Sequence, residues 1–568
     1  MSIRKRSKIL SKTYRQKLCE LIEVAKGHKK AELVIKNVDL VNVLTEEIYT
    51  TDVAVHGGII VGLGRYSGKR EINCQGGGVL IPGLIDAHTH IEMSMMSLTE
   101  FARIVTKHGT TCVIADPHEI CNVLGSKGLK LMLQESRIAP LRVYFLVPSC
   151  VPSSPLETSG GVINANEIKN LLKLNGVLGL AEVMNYPGVI NCEREILDKI
   201  MASREYIIDG HCPKLTGYEL NAYLTAGILS DHESSDLKEG IEKLRRGMRI
   251  MIREGSAARN LSSLKSIAGN RYTMLVTDGD RTVLDIITSG HLDYVYKRAI
   301  EEGIDEIKAL QMLTINPADY FGINAGLIAP GRYADLVLLD DLKNFTVKLV
   351  LINGKIPKYR KFKYPKYALN TVKAPKIKPS DIEIRRKGKA KIIVVIDGEI
   401  LTKTAVEYVT GIDVDRDILK AVVMERHKHT GRLSVGYIRG FNLKRGAIAQ
   451  TISHDAHNIV AVGTNDEDIC KAVNTVIDMQ GGIVVCNRNE VHRLPLRIAG
   501  LMSNERAEKV AKRLAKIEKA IRDLGCTLTS PIVTLSFIAL PVIPELKLTD
   551  LGLIDVKKFE LTELFIKE

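Results

Sequence analysis

Two histidines separated by one residue, His88 and His90, follow an apolar run at residues 79–85. On a β-strand, residues i and i+2 point to the same face, so both imidazoles can bind one metal ion. A pair with this spacing is a weak signal by itself, because His427 and His429 repeat it elsewhere in the chain. Carboxylates and histidines that recur downstream strengthen it. Together these residues predict a metal-dependent hydrolase.

The downstream candidates stand at the ends of successive apolar, strand-like runs. In chain order, the full set is His88, His90, Asp116, His118, Glu182, His211, His232, Glu233 and Asp278. A two-metal hydrolytic site needs about four imidazoles, a carboxylate shared between ions about 3.5–4 Å apart and a further terminal carboxylate. A single histidine at a strand end is more often a hydrogen-bonded structural residue. Six candidate ligands at successive strand ends favour the metal site.

The elements that must position these residues lie at about 82–325, where apolar strands alternate with segments of helical length. We predict strands near 111–115, 142–147, 177–181, 206–209, 226–230 and 272–276, and a helix over 99–107. Such alternation fits either a doubly wound sheet or a (β/α)₈ TIM-like barrel. Because a barrel brings all strand ends to one face, the polar residues there favour the α/β barrel.

The regions around this segment suggest three further units. Residues 28–81 and 326–378 are both rich in short strands and predict one small β-sandwich domain split by the barrel. Residues 357–378, rich in proline and lysine, read as a linker or surface strap. Residues 379–568 predict a C-terminal αβ domain, with a strand at 391–396, a helix at 505–524 and a strand-like run at 532–542. Residues 1–27 read as a basic helical extension.

Composition excludes several classes of protein. The 568 residues carry a formal charge of +14, concentrated in the first thirty residues and in 355–391. We interpret this charge mainly as solvated surface, with a polyanion site as the lesser alternative. Ten scattered cysteines without a C-x-x-C pair argue against disulfides and for a reducing compartment. The sequence lacks a secretory signal and a membrane-length apolar run, so we expect a cytoplasmic protein.

The order of these motifs resembles the amidohydrolase superfamily and, within it, the adenine deaminases. The residues that carry the resemblance are PGLIDAHTHIEMSMM at 82–96, GTTCVIADPHEICNVLG at 109–125, RGAIA at 445–449, HDAHN at 454–458, GTND at 463–466 and AGLMS at 499–503. The resemblance covers nearly the whole chain after residue 30. The chain departs from the expected pattern in TDGDR at 277–281, where T-D-D-R is expected, and in HDAHN, where H-D-S-H-N is expected.

The resemblance implies a metal-dependent enzyme of purine salvage that hydrolyses adenine to hypoxanthine and ammonia. A metal-bridging hydroxide would attack C6, and Asp278 would accept its proton and return it to the leaving amine. The implied cofactors are two divalent ions, Mn²⁺ or Fe²⁺ in preference to Zn²⁺. Carried over by position, the implied metal ligands are His88, His90, Glu182 as the bridge, His211, His232 and Asp278.

Several roles stay open. Glu233 either grips or protonates a ring nitrogen, or orients His232. Asp116, His118 and Glu92 either line the pocket, bind an additional metal or close the strand. The C-terminal residues His454, Asp455 and His457 either face the barrel mouth or hold their own domain together. The inserted glycine leaves both Asp278 and Asp280 as candidates for the metal site, and we choose Asp278 because it comes first beyond the apolar strand.

Other functions are less well supported. Another amidohydrolase acting on a cyclic amide, such as a dihydroorotase or hydantoinase, would use the same ligands, but the C-terminal motifs argue against it. A cytidine-deaminase-type zinc enzyme needs a P-C-x-x-C element, which is absent. A decayed, non-catalytic barrel would have lost ligands. A nucleic-acid-binding protein would need aromatic stacking residues, and the chain has no tryptophan. We therefore expect adenine as the partner, no nucleic acid or membrane, and a homo-oligomer, a dimer or larger.

Overall fold

The computed structural model describes residues 12–74, 77–256 and 259–566. The first helix, Lys12–Ala25, agrees with the predicted helical extension, and residues 1–11 of that extension lie outside the described residues. Val24 of this helix is buried in a small cluster with Val34 and Val61, and Tyr66 Oη donates a hydrogen bond to the carbonyl of Ala25. The end of the extension is thus packed on the sheet that follows.

Seven strands from both sides of the middle region form one sheet. Leu336–Leu339 pairs antiparallel with Val79–Pro82, with Leu338 opposite Leu80. The sheet order is Val347–Leu351, Leu336–Leu339, Val79–Pro82, Ala31–Asn42, Glu47–His56 and Ile59–Leu63, and Gly68–Asn73 pairs with Ala31–Asn42. The two strand-rich blocks of the sequence therefore meet in space. Val79–Pro82 leads directly into the strand that carries His88.

In the middle region, the described residues form eight parallel strands in two sheets. The first sheet has five strands in the order Ile207–Gly210, Val177–Val183, Arg142–Val147, Thr110–Ala115 and Leu84–Thr89. The second sheet has three strands in the order Ser230–Asp231, Arg249–Arg253 and Thr273–Val276. Thr110–Ala115 is buried along its whole length, as expected for a parallel strand covered on both faces. The backbone N–H of Leu229 donates to the Ile208 carbonyl and that of Asp278 to the His88 carbonyl. The two sheets thus contact each other at both edges.

Helices connect these strands. The first, Leu98–Val105, begins at Ser97, whose hydroxyl accepts a hydrogen bond from the backbone N–H of Glu100. The others are His118–Leu124, Ser126–Ser136, Ala165–Leu171, Tyr186–Ile190, Arg194–Ser203, Gly217–Thr225, Leu237–Arg245, Leu261–Leu264, Val283–Ser289, Leu292–Glu301, Glu306–Leu313 and Ile315–Phe321, with 3₁₀ turns at Ile91–Ser94, Thr106–His108 and Lys265–Ile267. No helix in the described ranges has the length and apolarity needed to cross a membrane.

Two strand predictions in the middle region were wrong or incomplete. The strand expected at 226–230 is confined to Ser230–Asp231, because residues 226–227 form the turn after the preceding helix and residues 228–229 have no regular structure. The strand Arg249–Arg253 was missed. It has arginine at both ends and only three apolar residues between them, which is too short a pattern to recognise by periodicity.

The C-terminal region is built on an eight-stranded sheet. Its order is Thr402–Val409, Gly388–Val395, Leu433–Arg439, Leu419–Met424, Ile459–Gly463, Ala447–Gln450, Gly482–Asn487 and Glu490–Pro495; a smaller sheet contains Leu546–Thr549, Gly552–Asp555 and Glu560–Thr562. The helices are Asp466–Asp478, Ala507–Asp523 and Pro531–Phe537, with a 3₁₀ turn at Pro379–Asp381. The strand expected at 532–542 was wrong, since Pro531 opens a short buried helix there.

The C-terminal region lies against loops that follow strands of the middle region. The backbone N–H of Ser503 donates to the Met95 carbonyl, and the Asp550 carboxylate accepts a hydrogen bond from the backbone N–H of Thr158. The predicted linker has a single helical turn, Lys366–Leu369, and its Ala368 carbonyl accepts a hydrogen bond from Ala499 N–H. The linker is therefore anchored at the buried Ala368, while most of its residues stay half-buried or exposed, as expected for a strap along the surface.

Candidate metal centre

The strand Leu84–Thr89 and the residue after it bring His88 and His90 to one buried position. Nε2 of His88 lies 3.8 Å, and Nε2 of His90 3.5 Å, from Oε1 of Glu182, which is on the strand Val177–Val183. All three side chains are buried. One oxygen of Glu182 therefore faces both members of the H-x-H pair.

The second oxygen of Glu182 faces the other two predicted histidines. Oε2 lies 2.7 Å from Nδ1 of His211 and 3.1 Å from Nε2 of His232. These histidines follow the strands Ile207–Gly210 and Ser230–Asp231. The Glu182 carboxylate thus stands between two histidine pairs, one pair per oxygen.

Asp278 completes the cluster. Its Oδ1 lies 3.3 Å from Nε2 of His88 and 3.4 Å from Nε2 of His90. Gly279 has a φ of +69°, and a Cβ there would lie 2.5 Å from the backbone nitrogen of His90. Only glycine fits this close approach. The structure places Asp278 beside the histidines, whereas the Asp280 side chain packs against Gly255.

The histidines determine the charge of the two carboxylates. Burial alone would raise the pKa of Glu182, but His232 and His211 hold it well below its ordinary value. Burial would likewise raise the pKa of Asp278, and the nearby imidazoles of His88 and His90 outweigh it, so that the pKa is well below normal. Both groups are ionised at neutral pH, which is the form that binds a cation.

The donor set fits a divalent cation. Both ring nitrogens of His88 are buried and make no hydrogen bond to the described residues. His88, Glu182 and His232 offer ligand atoms within 4.8 Å of one another, and so do His88, His90 and Asp278. Imidazole and carboxylate ligands without a thiolate suit manganese, iron or zinc.

Arg253, at the end of the strand Arg249–Arg253, is a site residue that the sequence did not reveal. Its Nη1 donates to Oε1 of Glu233 at 2.5 Å and to Oδ2 of Asp278 at 3.0 Å, and its Nη2 donates to Oε2 of Glu233 at 3.2 Å. Glu233 Oε1 is farther, 3.7 Å, from Nε2 of His232. The firm partner of Glu233 is therefore Arg253.

Asp116 and His118 lie beside the cluster. His118 Nδ1 is 3.0 Å from Oδ2 of Asp116 and 3.5 Å from Oε1 of Glu182, and the Asp116 carbonyl lies 3.0 Å from Nδ1 of His90. Glu92 is set back and its Oε1 accepts a hydrogen bond from the backbone N–H of Ile120. Asp116 and His118 thus contact the histidine cluster directly, whereas Glu92 supports the neighbouring helix.

The C-terminal residues His454 and His457 contact the histidine cluster through Glu119, which the sequence analysis did not identify as a site residue. Nε2 of His118 lies 3.4 Å and Nδ1 of His454 3.0 Å from Glu119 Oε1, and His457 Nε2 hydrogen-bonds to Oε2. Asp455 Oδ1 lies 3.8 Å from Nδ1 of His454. The D-P-H-E motif was the available signal. It places Glu119 beside a candidate ligand.

One side of the cluster is more open than the rest. The side chain of His211 is 24% exposed. Three side chains are 14–16% exposed, namely those of Asp278, Glu233 and Arg253. The side chains of His88, His232 and Glu182 are at most 4% exposed. Water and a small molecule can therefore approach from the His211 side, while the opposite side lies under the C-terminal region.

Comparison with known proteins shows which families the chain matches. Residues 79–356 match the amidohydrolase family and residues 396–560 match the adenine deaminase C-terminal domain. The chain is 60% identical to an adenine deaminase of Archaeoglobus fulgidus, over 97% of this chain and 98% of that protein. It is 44% identical to an adenine deaminase of Dehalococcoides mccartyi, over 96% and 98%, and 44% identical to one of Clostridium acetobutylicum, over 95% and 99%.

Proposed function

The chain belongs to the adenine deaminase family and is an enzyme of purine salvage that hydrolyses adenine to hypoxanthine and ammonia; we propose that the reaction takes place at the cluster around Glu182. The observation that carries this proposal is the position of Glu182. Each of its oxygens faces a different histidine pair, at 2.7–3.8 Å. A carboxylate in this position can be shared by two cations.

The proposed metal ligands are those that the sequence predicted. The amidohydrolase family is metal-dependent, and we propose two ions in this chain, Mn²⁺ or Fe²⁺ in preference to Zn²⁺. When bound, such ions supply Lewis acidity that lowers the pKa of a water molecule to near neutrality. The ligands would be His88, His90, Glu182, His211, His232 and Asp278.

Asp278 is the proposed general base and acid. It takes the proton of the water that attacks C6 of the purine and returns it to the leaving amine. Support comes from its two contacts, since Oδ1 faces the histidines and Oδ2 is held by Arg253. The guanidinium group fixes the carboxylate in one orientation without closing the Oδ1 side.

Glu233 is the proposed partner of a purine ring nitrogen. It lies beside His211 and His232, at the more open side of the cluster, and both of its oxygens are hydrogen-bonded to Arg253. A carboxylate held by a rigid fork is well placed to grip the ring or to deliver a proton to it. We therefore assign Glu233 to the substrate rather than to orienting His232.

The proposed architecture places this site at the mouth of a (β/α)₈ barrel formed by residues 82–325. Support comes from the backbone hydrogen bonds that join the five-stranded and three-stranded parallel sheets at both edges. The proposed further units are a split β-domain of residues 28–81 and 326–378, and a C-terminal αβ domain of residues 379–568.

The remaining expectations concern the environment of the enzyme. We propose a cytoplasmic homo-oligomer that acts on a small molecule and binds neither nucleic acid nor membrane. All ten cysteines lie in the described ranges and are free thiols, which supports a reducing compartment. Val406 and Tyr408, 47% and 58% exposed on the edge strand Thr402–Val409, support contact between copies.

The deciding experiment is ammonia release from adenine by the purified protein loaded with Mn²⁺, with a chelator-treated sample and adenosine as controls. We expect metal-dependent release from adenine alone. Absence of release, with metal demonstrably bound, would redirect the assignment to hydrolysis of a cyclic amide such as dihydroorotate or a hydantoin, which should then be tested on the same sample.

A further inference from the structure

Lys243, on the helix Leu237–Arg245, is a fully buried lysine beside the loops that carry two proposed metal ligands. Its Nζ donates three hydrogen bonds, at 2.9 Å to Oδ2 of Asp231, at 2.8 Å to Oε1 of Glu239 and at 2.7 Å to the carbonyl of Cys212. An ammonium group has three N–H donors, so each of them has a partner. Burial alone would lower the pKa of Lys243, but the two carboxylates hold this pKa above its ordinary value. The lysine is therefore charged at neutral pH.

Asp231 connects this lysine to the loops of His211 and His232. Its Oδ1 accepts a hydrogen bond from the backbone N–H of Cys212 at 2.9 Å. Its Oδ2 accepts two hydrogen bonds from Ser234, at 2.9 Å from the backbone N–H and at 2.7 Å from the hydroxyl. Cys212 directly follows His211, whereas Asp231 and Ser234 stand on either side of His232 in the chain. One carboxylate therefore holds both loops.

Glu239 joins the same two loops from the helix itself. Its Oε1 accepts a hydrogen bond from the backbone N–H of Lys214 at 2.7 Å, and its Oε2 accepts one from the backbone N–H of Ser235 at 3.3 Å. Each of these donors lies three residues after one of the two histidines. Both carboxylates accept from the same ammonium group, so they lie close together and would repel each other without it. Lys243 thus holds together the unit that fixes the two loops.

The first histidine pair, His88 and His90, is held by different contacts. The Asp116 carbonyl lies 3.0 Å from Nδ1 of His90. The backbone N–H of Asp278 donates a hydrogen bond to the His88 carbonyl. Neither contact involves a residue to which the Lys243 ammonium group is hydrogen-bonded. A change at Lys243 should therefore disturb one histidine pair and leave the other in place.

We propose that Lys243 is a positioning residue for the ion that His211 and His232 would hold. It fixes the two loops relative to each other, and this sets the affinity for that ion alone. The inference rests on the proposed function, since it assumes that these two histidines hold the second of two cations. Lys243 acts through the two carboxylates, without touching metal or substrate itself. One substitution at this position should therefore separate the occupancies of the two ions.

The test compares the wild type with Lys243→Met in the full-length protein, stripped of metal by a chelator and then loaded with Mn²⁺. After dialysis, we expect the wild type to retain two Mn²⁺ per chain and the variant to retain one. The dissociation constant of the lost ion should rise at least about tenfold, as for other residues that orient metal ligands. Anomalous diffraction at the manganese edge should show the remaining ion beside His88 and His90. A lysine with a merely structural role would lower stability without separating the two ions.

Two further variants keep the outcome decisive. Glu239→Gln retains the ion pair of Lys243 with Asp231, so it tests the inference even if Lys243→Met folds poorly, and it should weaken the same ion at least about threefold. Lys238→Met, at an exposed position of the same helix, should bind both ions as the wild type does. Equal weakening of both ions, unchanged affinity for both, or selective loss of the ion beside His88 would overturn the inference. A wild type that binds fewer than two ions at the cluster, or releases no ammonia from adenine, would instead refute the proposed function.

Discussion

Arg253 donates a hydrogen bond from Nη1 to Oδ2 of Asp278 over 3.0 Å, on the side of the carboxylate away from His88 and His90. The two oxygens of Asp278 therefore have different surroundings. Oδ1 belongs to the histidine cluster, and Oδ2 belongs to an ion pair that also includes Glu233. In the proposed mechanism, this division holds Asp278 firmly through Oδ2 and leaves Oδ1 to the metal-binding side of the cluster.

Replacing Arg253 by methionine should separate positioning from metal binding. We expect kcat to fall about 10–100-fold, because Asp278 and Glu233 lose their common anchor and near-attack geometry is less populated. The Mn²⁺ content should stay that of the wild type, since no proposed ligand is removed. Steady-state kinetics with metal analysis would check this. Arg246→Met, at a helix end in the same region, is the control and should behave as wild type.

Replacing Glu182 by glutamine should abolish both metal retention and activity. Glutamine keeps the shape but removes the charge shared between the two histidine pairs, and two neighbouring cations are poorly tolerated without it. Metal analysis after dialysis should show loss of at least one ion per chain, with circular dichroism unchanged. Normal turnover in a variant that still holds its metal would contradict the bridging assignment.

Asp209 should tune the affinity of the site for metal. Its Oδ2 lies 3.6 Å from Nδ1 of His88, and its Oδ1 accepts a hydrogen bond from Tyr320. A carboxylate behind a metal-binding histidine fixes the ring, and its removal typically costs about 10–100-fold in affinity. Titrating the chelated Asp209→Ala protein with Mn²⁺ should show that weakening as a shift in the activation midpoint. At saturating Mn²⁺, kcat should recover to within about threefold of wild type.

Lys547, in the C-terminal region, should make stability depend on pH. It is fully buried, and burial lowers its pKa to about 7. The unfolded side chain titrates near 10.4, so between these pH values the unfolded state binds more protons and the free energy of unfolding rises with pH. From pH 7 to 9.5 the rise is up to about 3 kcal/mol.

Urea unfolding at pH 7.0 and 9.5 would measure this contribution. In the Lys547→Met variant, the free energy of unfolding should not show this rise with pH, because methionine does not titrate. Lys558→Met, whose lysine is 68% exposed in the same hairpin region, should keep it. An identical pH dependence in wild type and Lys547→Met would show that the buried lysine is not the cause.

The strand ends were predictable from sequence because polar ligands there interrupt long apolar runs. His88, Glu182, His211 and His232 all follow such runs, and the structure brings them together. Arg253 was not predictable in this way. It ends a five-residue strand whose pattern is too short, and arginine is ordinarily read as a surface residue.

Contacts between distant parts of the chain were the other feature that could not be predicted from the sequence. Glu119 meets His454 and His457 across more than 330 residues, and no local pattern encodes that meeting. The run at 532–542 illustrates the same limit for local structure. Its short apolar sequence suits a strand or a helix equally, and Pro531 with the surrounding core decides for the helix.

The cover over the site comes from the end of the chain, as Ser503 on Met95 and Asp550 on Thr158 show. The proposed metal ligands, by contrast, are complete once residue 278 has been made. During synthesis the histidine cluster therefore leaves the ribosome well before the segment that closes one side of it, and domains generally fold in this order. In that interval the C-terminal region cannot yet cover the cluster, so we expect the order of the gene to give cations access to the proposed ligands from that side as well.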